Sequence, residues 1–194
     1  MSNHNLKTLI QKRNKLPIFR YYGNITDSSI LTLTNNFSDY EVSTDSAKNL
    51  RRTLVPDDSD YNGDATKNYH QHDIQTRIPE GEWTEKSFVD LPVIFNSLYA
   101  ELTYMLNGPV CRMRYATIDA SDSLPFHMDQ PGIDRFICVL QGEQVVHVNA
   151  KDQTYSQVMR PGEVWYLNTN WDHSVVNTHD SQRLAMLGCY DYND

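Results

Sequence analysis

Apolar and polar positions alternate with a period of two from residue 110 to the C-terminus, in eight short runs. They are Val110–Ile118, Leu124–Asp129, Ile133–Leu140, Gln144–Asn149, Tyr155–Met159, Glu163–Leu167, His173–Thr178 and Gln182–Cys189. Turn-forming residues separate them, among them Ser121-Asp122, Pro131-Gly132, Gln141-Gly142, Lys151-Asp152, Pro161-Gly162 and His179-Asp180-Ser181. Period-two alternation means a strand with one face buried, and short strands at regular spacing predict a sandwich or barrel. Eight strands fit a mainly β fold, a double-stranded β-helix or jelly roll of the cupin kind.

The N-terminal half has a different pattern. Leu91, Ile94, Phe95, Leu98, Leu102 and Met105 recur at helical spacing, which predicts a helix over 90–106. Asp90 suits its N-cap, Pro92 is tolerated in the first turn, and Gly108-Pro109 ends it. A short helix is expected over 4–14, an extended segment over 16–22 and a further strand over 28–34. Residues 35–85 are polar and rich in Asp and Asn. A structureless stretch of that length is unusual inside a domain, so a short helix or strand is expected there, with a long loop as lid or substrate wall. No internal repeat or domain boundary interrupts the chain. The expected organisation is one domain over 1–194, with a support region (1–109) and a β core (110–191).

Composition narrows the class. Hydrophobic residues make up 39% and charged residues 22%, an ordinary globular balance. No apolar run approaches the ~20 residues of a membrane span, and the N-terminus lacks an apolar leader core, so a cytoplasmic location is expected. Cys111, Cys138 and Cys189 are odd in number, far apart and without a CxxC pair, which favours buried reduced thiols over disulfides or zinc. The net charge is -8, and basic residues are scattered apart from Arg51-Arg52 and Arg112/Arg114, which argues against a nucleic-acid partner.

The candidate chemistry starts at His127-Met128-Asp129. Residues i and i+2 of a strand share a face, so His127 and Asp129 are expected to project together. His173 opens the seventh run and Arg183 lies ten residues beyond it. Two histidines and one carboxylate with open positions are the ligand set of mononuclear non-haem Fe(II) oxygenases. Arg183 offers a fork to a carboxylate, and an arginine inside a barrel is costly unless an anion pairs with it. Either Tyr115 and Thr117 or Arg112 and Arg114 face the cavity, and the sequence does not choose. Asn177 falls on the inward parity and is a candidate for orienting a ligand. Trp165 and Trp171 are expected to pack or wall the pocket, and His147 to be structural. His70-Gln71-His72-Asp73 reads as a solvated loop or pocket rim.

These motifs, with Asp134-Arg135-Phe136-Ile137-Cys138-Val139, Gly162-Glu163-Val164-Trp165-Tyr166-Leu167-Asn168 and Arg183-Leu184-Ala185-Met186-Leu187, resemble the Fe(II)/2-oxoglutarate-dependent dioxygenases. The branch they look most like is the aspartyl/asparaginyl β-hydroxylase-like, proline-hydroxylase-like group. The resemblance covers about residues 110 to 191. It implies that His127, Asp129 and His173 are iron ligands, that Arg183 binds the far carboxylate of 2-oxoglutarate, and that Arg135 holds the cosubstrate near the metal. It also implies hydroxylation of an amino acid side chain, free or within a peptide. Members of that branch often carry glycine at the position of Asp129, so this residue departs from the branch. A cupin-type metal enzyme that does not use 2-oxoglutarate, and a non-catalytic jelly-roll binding module, are the rival readings.

Overall fold

The computed structural model describes residues 14–37, 42–45, 49–53, 95–108, 110–128 and 134–190, with backbone alone at 42–45, 49–53, 111, 112 and 114. The strands are β1 (Phe19–Asn24), β2 (Val42–Asp45), β3 (Asn49–Thr53), β4 (Val110–Ile118), β5 (Ser123–His127), β6 (Asp134–Gln141), β7 (Gln144–Ala150), β8 (Gln153–Met159), β9 (Glu163–Leu167), β10 (Asp172–Asn177) and β11 (Arg183–Tyr190). The helices are α1 (Asp27–Asn35) and α2 (Asn96–Met105). Each of the eight alternating runs is a strand, β4 to β11. Within the polar stretch 35–85, β2 and β3 form a hairpin that joins β4.

The strands make two antiparallel sheets. The larger runs β1-β9-β6-β11-β4-β3-β2 and the smaller β5-β10-β7-β8. Apart from β2-β3-β4 and β7-β8, neighbours in space are distant in sequence, as the chain crosses from one sheet to the other in the winding of a jelly roll.

The central strands of the larger sheet are buried on both faces. Tyr115, Phe136, Cys138, Tyr166, Met186 and Tyr190 pack against the helices through Leu33, Leu98 and Leu102. On the other face Ile118, Ile137, Val139, Leu167 and Ala185 meet Val146, Val148, Met159 and Val175 of the smaller sheet. This explains why β6 is buried at every position but its last, where a half-exposed strand would alternate. Each large aliphatic side chain removed from water in these layers contributes about 1.5–3 kcal/mol.

The helical period over 90–106 is realised as α2, with Leu98 and Leu102 buried. Asn107 at φ 54° turns the chain out of it. Asp90, Pro92 and the segment 4–13 lie outside the described residues. The strand expected over 28–34 is a helix instead. Thr26 caps α1 by accepting from the Ser29 amide at 3.3 Å. Glu101 of α2 accepts from the Thr26 amide at 2.7 Å and from the Ser29 hydroxyl at 2.8 Å. Satisfying these N-terminal donors and burying Leu33 outweighs the weak strand preference of Ile30-Leu31-Thr32.

Candidate active site

β5 lies at the edge of the smaller sheet, where Pro125 interrupts no ladder. His127 ends β5 and is paired in register with His173 near the start of β10. A bulge intervenes: the two steps from His173 to Val175 face three steps from His127 to Leu124. The extra residue lets both Leu124 and His127 turn inward while Phe126 and Met128 stay exposed. The imidazole centroids are 4.3 Å apart with planes tilted by 48°. His173 is buried and His127 half-buried.

Both rings are oriented by the same device. Nδ1 of His127 donates to the Pro125 carbonyl at 2.8 Å, and Nδ1 of His173 donates to the Trp171 carbonyl at 2.9 Å. A carbonyl oxygen can only accept, so each neutral ring holds its proton on Nδ1 and its lone pair on Nε2. That is the tautomer in which imidazole ligates a metal, with the other nitrogen fixed by backbone. The donor set therefore fits a metal ion as far as the two histidines go. Asp129, the expected third ligand, lies outside the described residues. Among the described residues no group of three His, Cys, Asp or Glu converges on one point.

Arg183 begins β11 on the face that carries Ala185, inside the jelly roll. It is buried, and its Nη1 donates to the Ala116 carbonyl at 3.0 Å. Its Nε is buried without a partner, and among the described residues no carboxylate pairs with it. Burial pushes the guanidinium down to about 9, so it remains charged at neutral pH. Gly142, in the β6–β7 turn at φ +76°, packs on its stem: a Cβ there would lie 3.4 Å from the Arg183 Cα and 3.6 Å from its Cβ. The site thus has a histidine pair on the smaller sheet, and a buried cation without an anion among the described residues at the opposite end of strand β11 from Cys189.

Arg135, at the start of β6, is buried and donates from Nη1 to the Cys189 Sγ at 3.6 Å. Its neighbours in register are Leu167 and Cys189. Tyr115 points away from the cavity: its hydroxyl donates to the Leu33 carbonyl at 2.5 Å and its ring meets Phe37. Ala116 and Ile118 take the inner positions of β4, while the side chains of Arg112 and Arg114 lie outside the description.

Asn177 does not turn to a ligand. Its Nδ2 donates to the carbonyls of Ile118, Asp119 and Ser181, and its Oδ1 accepts from the His179 amide. Parity placed it inward, but the end of a strand is where backbone carbonyls go unsatisfied, and its amide satisfies three of them. Trp165 and Trp171 pack on the inner core, as expected of walls. His147 faces outward and meets Ser156 Oγ at 2.7 Å, a structural role. Cys138 and Cys189 are buried thiols outside any disulfide. His70 and His72 lie outside the described residues.

The sequence reading missed Gln144. It sits on the inward parity of β7 with Val146 and Val148, and a glutamine on an otherwise apolar parity was the available signal.

No protein-family model matches the chain, and no characterised protein matches it by sequence. Among solved structures, an oxalate oxidase aligns at 20% identity over 41% of this chain and 41% of its own, with TM-score 0.37. A deletion variant of Bacillus subtilis oxalate decarboxylase aligns at 19% identity over 41% of this chain and 21% of its own, with the same score of 0.37. Peruvianin-I, a cysteine peptidase from Thevetia peruviana latex, aligns at 16% identity over 42% of this chain and 50% of its own, again at 0.37. The chain spans half or less of each of these structures. Its own two-sheet topology defines the fold. Among the described residues no helix is long and apolar enough to cross a membrane.

Proposed function

We propose that this chain is an Fe(II)- and 2-oxoglutarate-dependent oxygenase that hydroxylates an amino acid side chain, free or in a peptide. One observation carries the reading: a buried, charged Arg183 has no carboxylate partner among the described residues, in a jelly roll that also holds a register-paired, lone-pair-oriented histidine couple. A metal centre alone would explain the histidines but gives Arg183 no use. A dicarboxylate cosubstrate explains both.

In this reading His127 and His173 hold the metal through Nε2, with Asp129 as the third ligand. When bound, iron would supply the chemistry by which O₂ is split between the two substrates, one oxygen atom entering the C–H bond and the other the new carboxylate of succinate, as 2-oxoglutarate loses CO₂. The chain's own contributions are orientation and exclusion. The Pro125 and Trp171 carbonyls fix the imidazole planes. Arg183 fixes the far end of the cosubstrate and therefore its reach toward the histidines. Ile137, Val139 and Ala185 keep water from the space between. Arg135 adds positive charge near the ligand end. A cleft of about 420 Å³ is lined by the β7–β8 turn and by Trp171, two positions before His173.

The test is succinate release from 2-oxoglutarate with added Fe(II), screened against free amino acids and peptides. Wild type should release succinate, and Arg183→Ala should lose release by at least 100-fold while still binding Fe(II). If Arg183→Ala turns over like wild type, a metal enzyme that does not use 2-oxoglutarate replaces this reading. If neither metal nor 2-oxoglutarate binds wild type, the binding-module reading does.

A further inference from the structure

The tip of the β7–β8 hairpin holds a pair of residues that its backbone does not favour. Ala150 and Gln153 pair in register, so Lys151 and Asp152 alone make the turn. Both have positive φ, at 52° and 61°. Two consecutive left-handed residues form the hairpin turn that matches strand twist, and that turn prefers Asn-Gly or Gly-Gly. A residue with a Cβ is strained there, Lys more than Asp, whose short polar side chain tolerates the left-handed region. Side chains kept against such a preference point to a use for them.

The same two residues line the cleft of about 420 Å³, which Trp171 also walls. That volume suits a small molecule. Register places the cleft beside the histidine pair. Asp172 pairs with Asn149 and His173 with Val148, so Trp171 and Ala150 take the next inward positions, on the face of His173. Alternate positions on a strand lie about 6.5 Å apart, a distance that an extended aliphatic side chain spans. Trp171 also touches His173 directly, through the carbonyl that accepts from its Nδ1. The polar neighbours in the lining are engaged: the Thr154 hydroxyl donates to Asn149 Oδ1 at 2.8 Å, and Asn149 Nδ2 donates to Asp172 at 3.4 Å. Lys151 and Asp152 are the charged groups of the lining, and among the described residues no ion pair engages either.

We propose that this cleft binds the substrate as a free amino acid, its α-carboxylate on Lys151, its α-ammonium on Asp152 and its side chain along Trp171 toward the metal; this names the substrate class of the oxygenase read above and rests on that reading. Opposite charges on adjacent turn residues match a zwitterion. A residue inside a peptide carries neither backbone charge.

The probes are the common amino acids and their N-acetyl amides, offered to the metal-free full chain in saturation-transfer NMR. At least one free amino acid should bind, and its N-acetyl amide should bind roughly 100-fold more weakly, two charge-assisted hydrogen bonds being lost. Lys151→Gln should weaken binding of that amino acid roughly tenfold, for one such bond. Lys151→Asn combined with Asp152→Gly should lose binding altogether yet raise the melting temperature, because the turn then has the residues its backbone prefers. Lost binding in that variant therefore does not come from misfolding. With Fe(II) and 2-oxoglutarate, Lys151→Gln should raise KM for the amino acid and leave KM for 2-oxoglutarate unchanged. Free amino acids that do not bind, N-acetyl amides that bind equally well, or variants that bind like wild type would each overturn the inference. Amino acid binding that the variants lose, in a wild type that releases no succinate, would instead overturn the oxygenase reading beneath it.

Discussion

Arg183 carries a charge that the folded chain holds at a cost. Its shift from 12.5 to about 9 corresponds to on the order of 5 kcal/mol disfavouring the buried cation. Replacing it with an apolar residue of similar length removes that penalty, and such replacements can stabilise by about 1–4 kcal/mol. Arg183→Met should therefore raise the melting temperature of the metal-free protein while abolishing 2-oxoglutarate binding, measured by thermal shift with and without the ligand. Arg183→Lys should keep the charge but lose the fork, and bind at least tenfold more weakly. The buried, core-facing position of Arg183 was legible from the sequence, because its run alternates and places it on the face of Ala185. Gln144 was harder to find. A glutamine draws attention only when the packing shows that its buried side-chain oxygen has no donor.

At the scale of elements, β5 decides where His127 points. Strict alternation gives the correct face for His127 but not for Leu124, because the bulge adds a residue between them. Bulges leave little trace in a five-residue strand that also contains proline. α1 is the other element the sequence misjudged, since its helical state depends on Glu101, a residue 75 positions from Thr26. Long-range capping is invisible to local periodicity. Glu101→Ala strips acceptors from the Thr26 amide and the Ser29 hydroxyl, and should cost about 1–2 kcal/mol in urea unfolding, with faster hydrogen exchange confined to the first turn of α1. The proposed metal binding, which belongs to β5 and β10 of the smaller sheet, should be unchanged.

For the whole molecule, the two-sheet fold was legible because its eight core strands alternate cleanly between turn residues. The faces of the larger sheet were less so, as its central strands are buried on both sides. That double burial sets the alkaline behaviour of the protein. Burial pushes the Cys138 thiol and the Tyr190 phenol well above their ordinary values of 9.0 and 10.0, aided at Cys138 by Glu101 and at Tyr190 by the hydrogen bond to Tyr22. Above about pH 9 the unfolded chain loses these protons while the folded chain keeps them, so stability falls as pH rises. Arg183 acts in the opposite sense: between about 9 and 12.5 the unfolded chain holds its extra proton, so its penalty, complete below 9, fades with rising pH. Cys138→Ala should flatten the decline of melting temperature between pH 9 and 10, and Arg183→Met should steepen it at higher pH.

The most direct test of the account is an anaerobic titration of Fe(II) and 2-oxoglutarate into the protein, followed by visible absorption. A weak charge-transfer band should appear only when both are present, vanish in His173→Ala, and require at least 100-fold more 2-oxoglutarate in Arg183→Met. A wild-type protein that binds Fe(II) yet shows no band at saturating 2-oxoglutarate, or a band indifferent to Arg183, would contradict it.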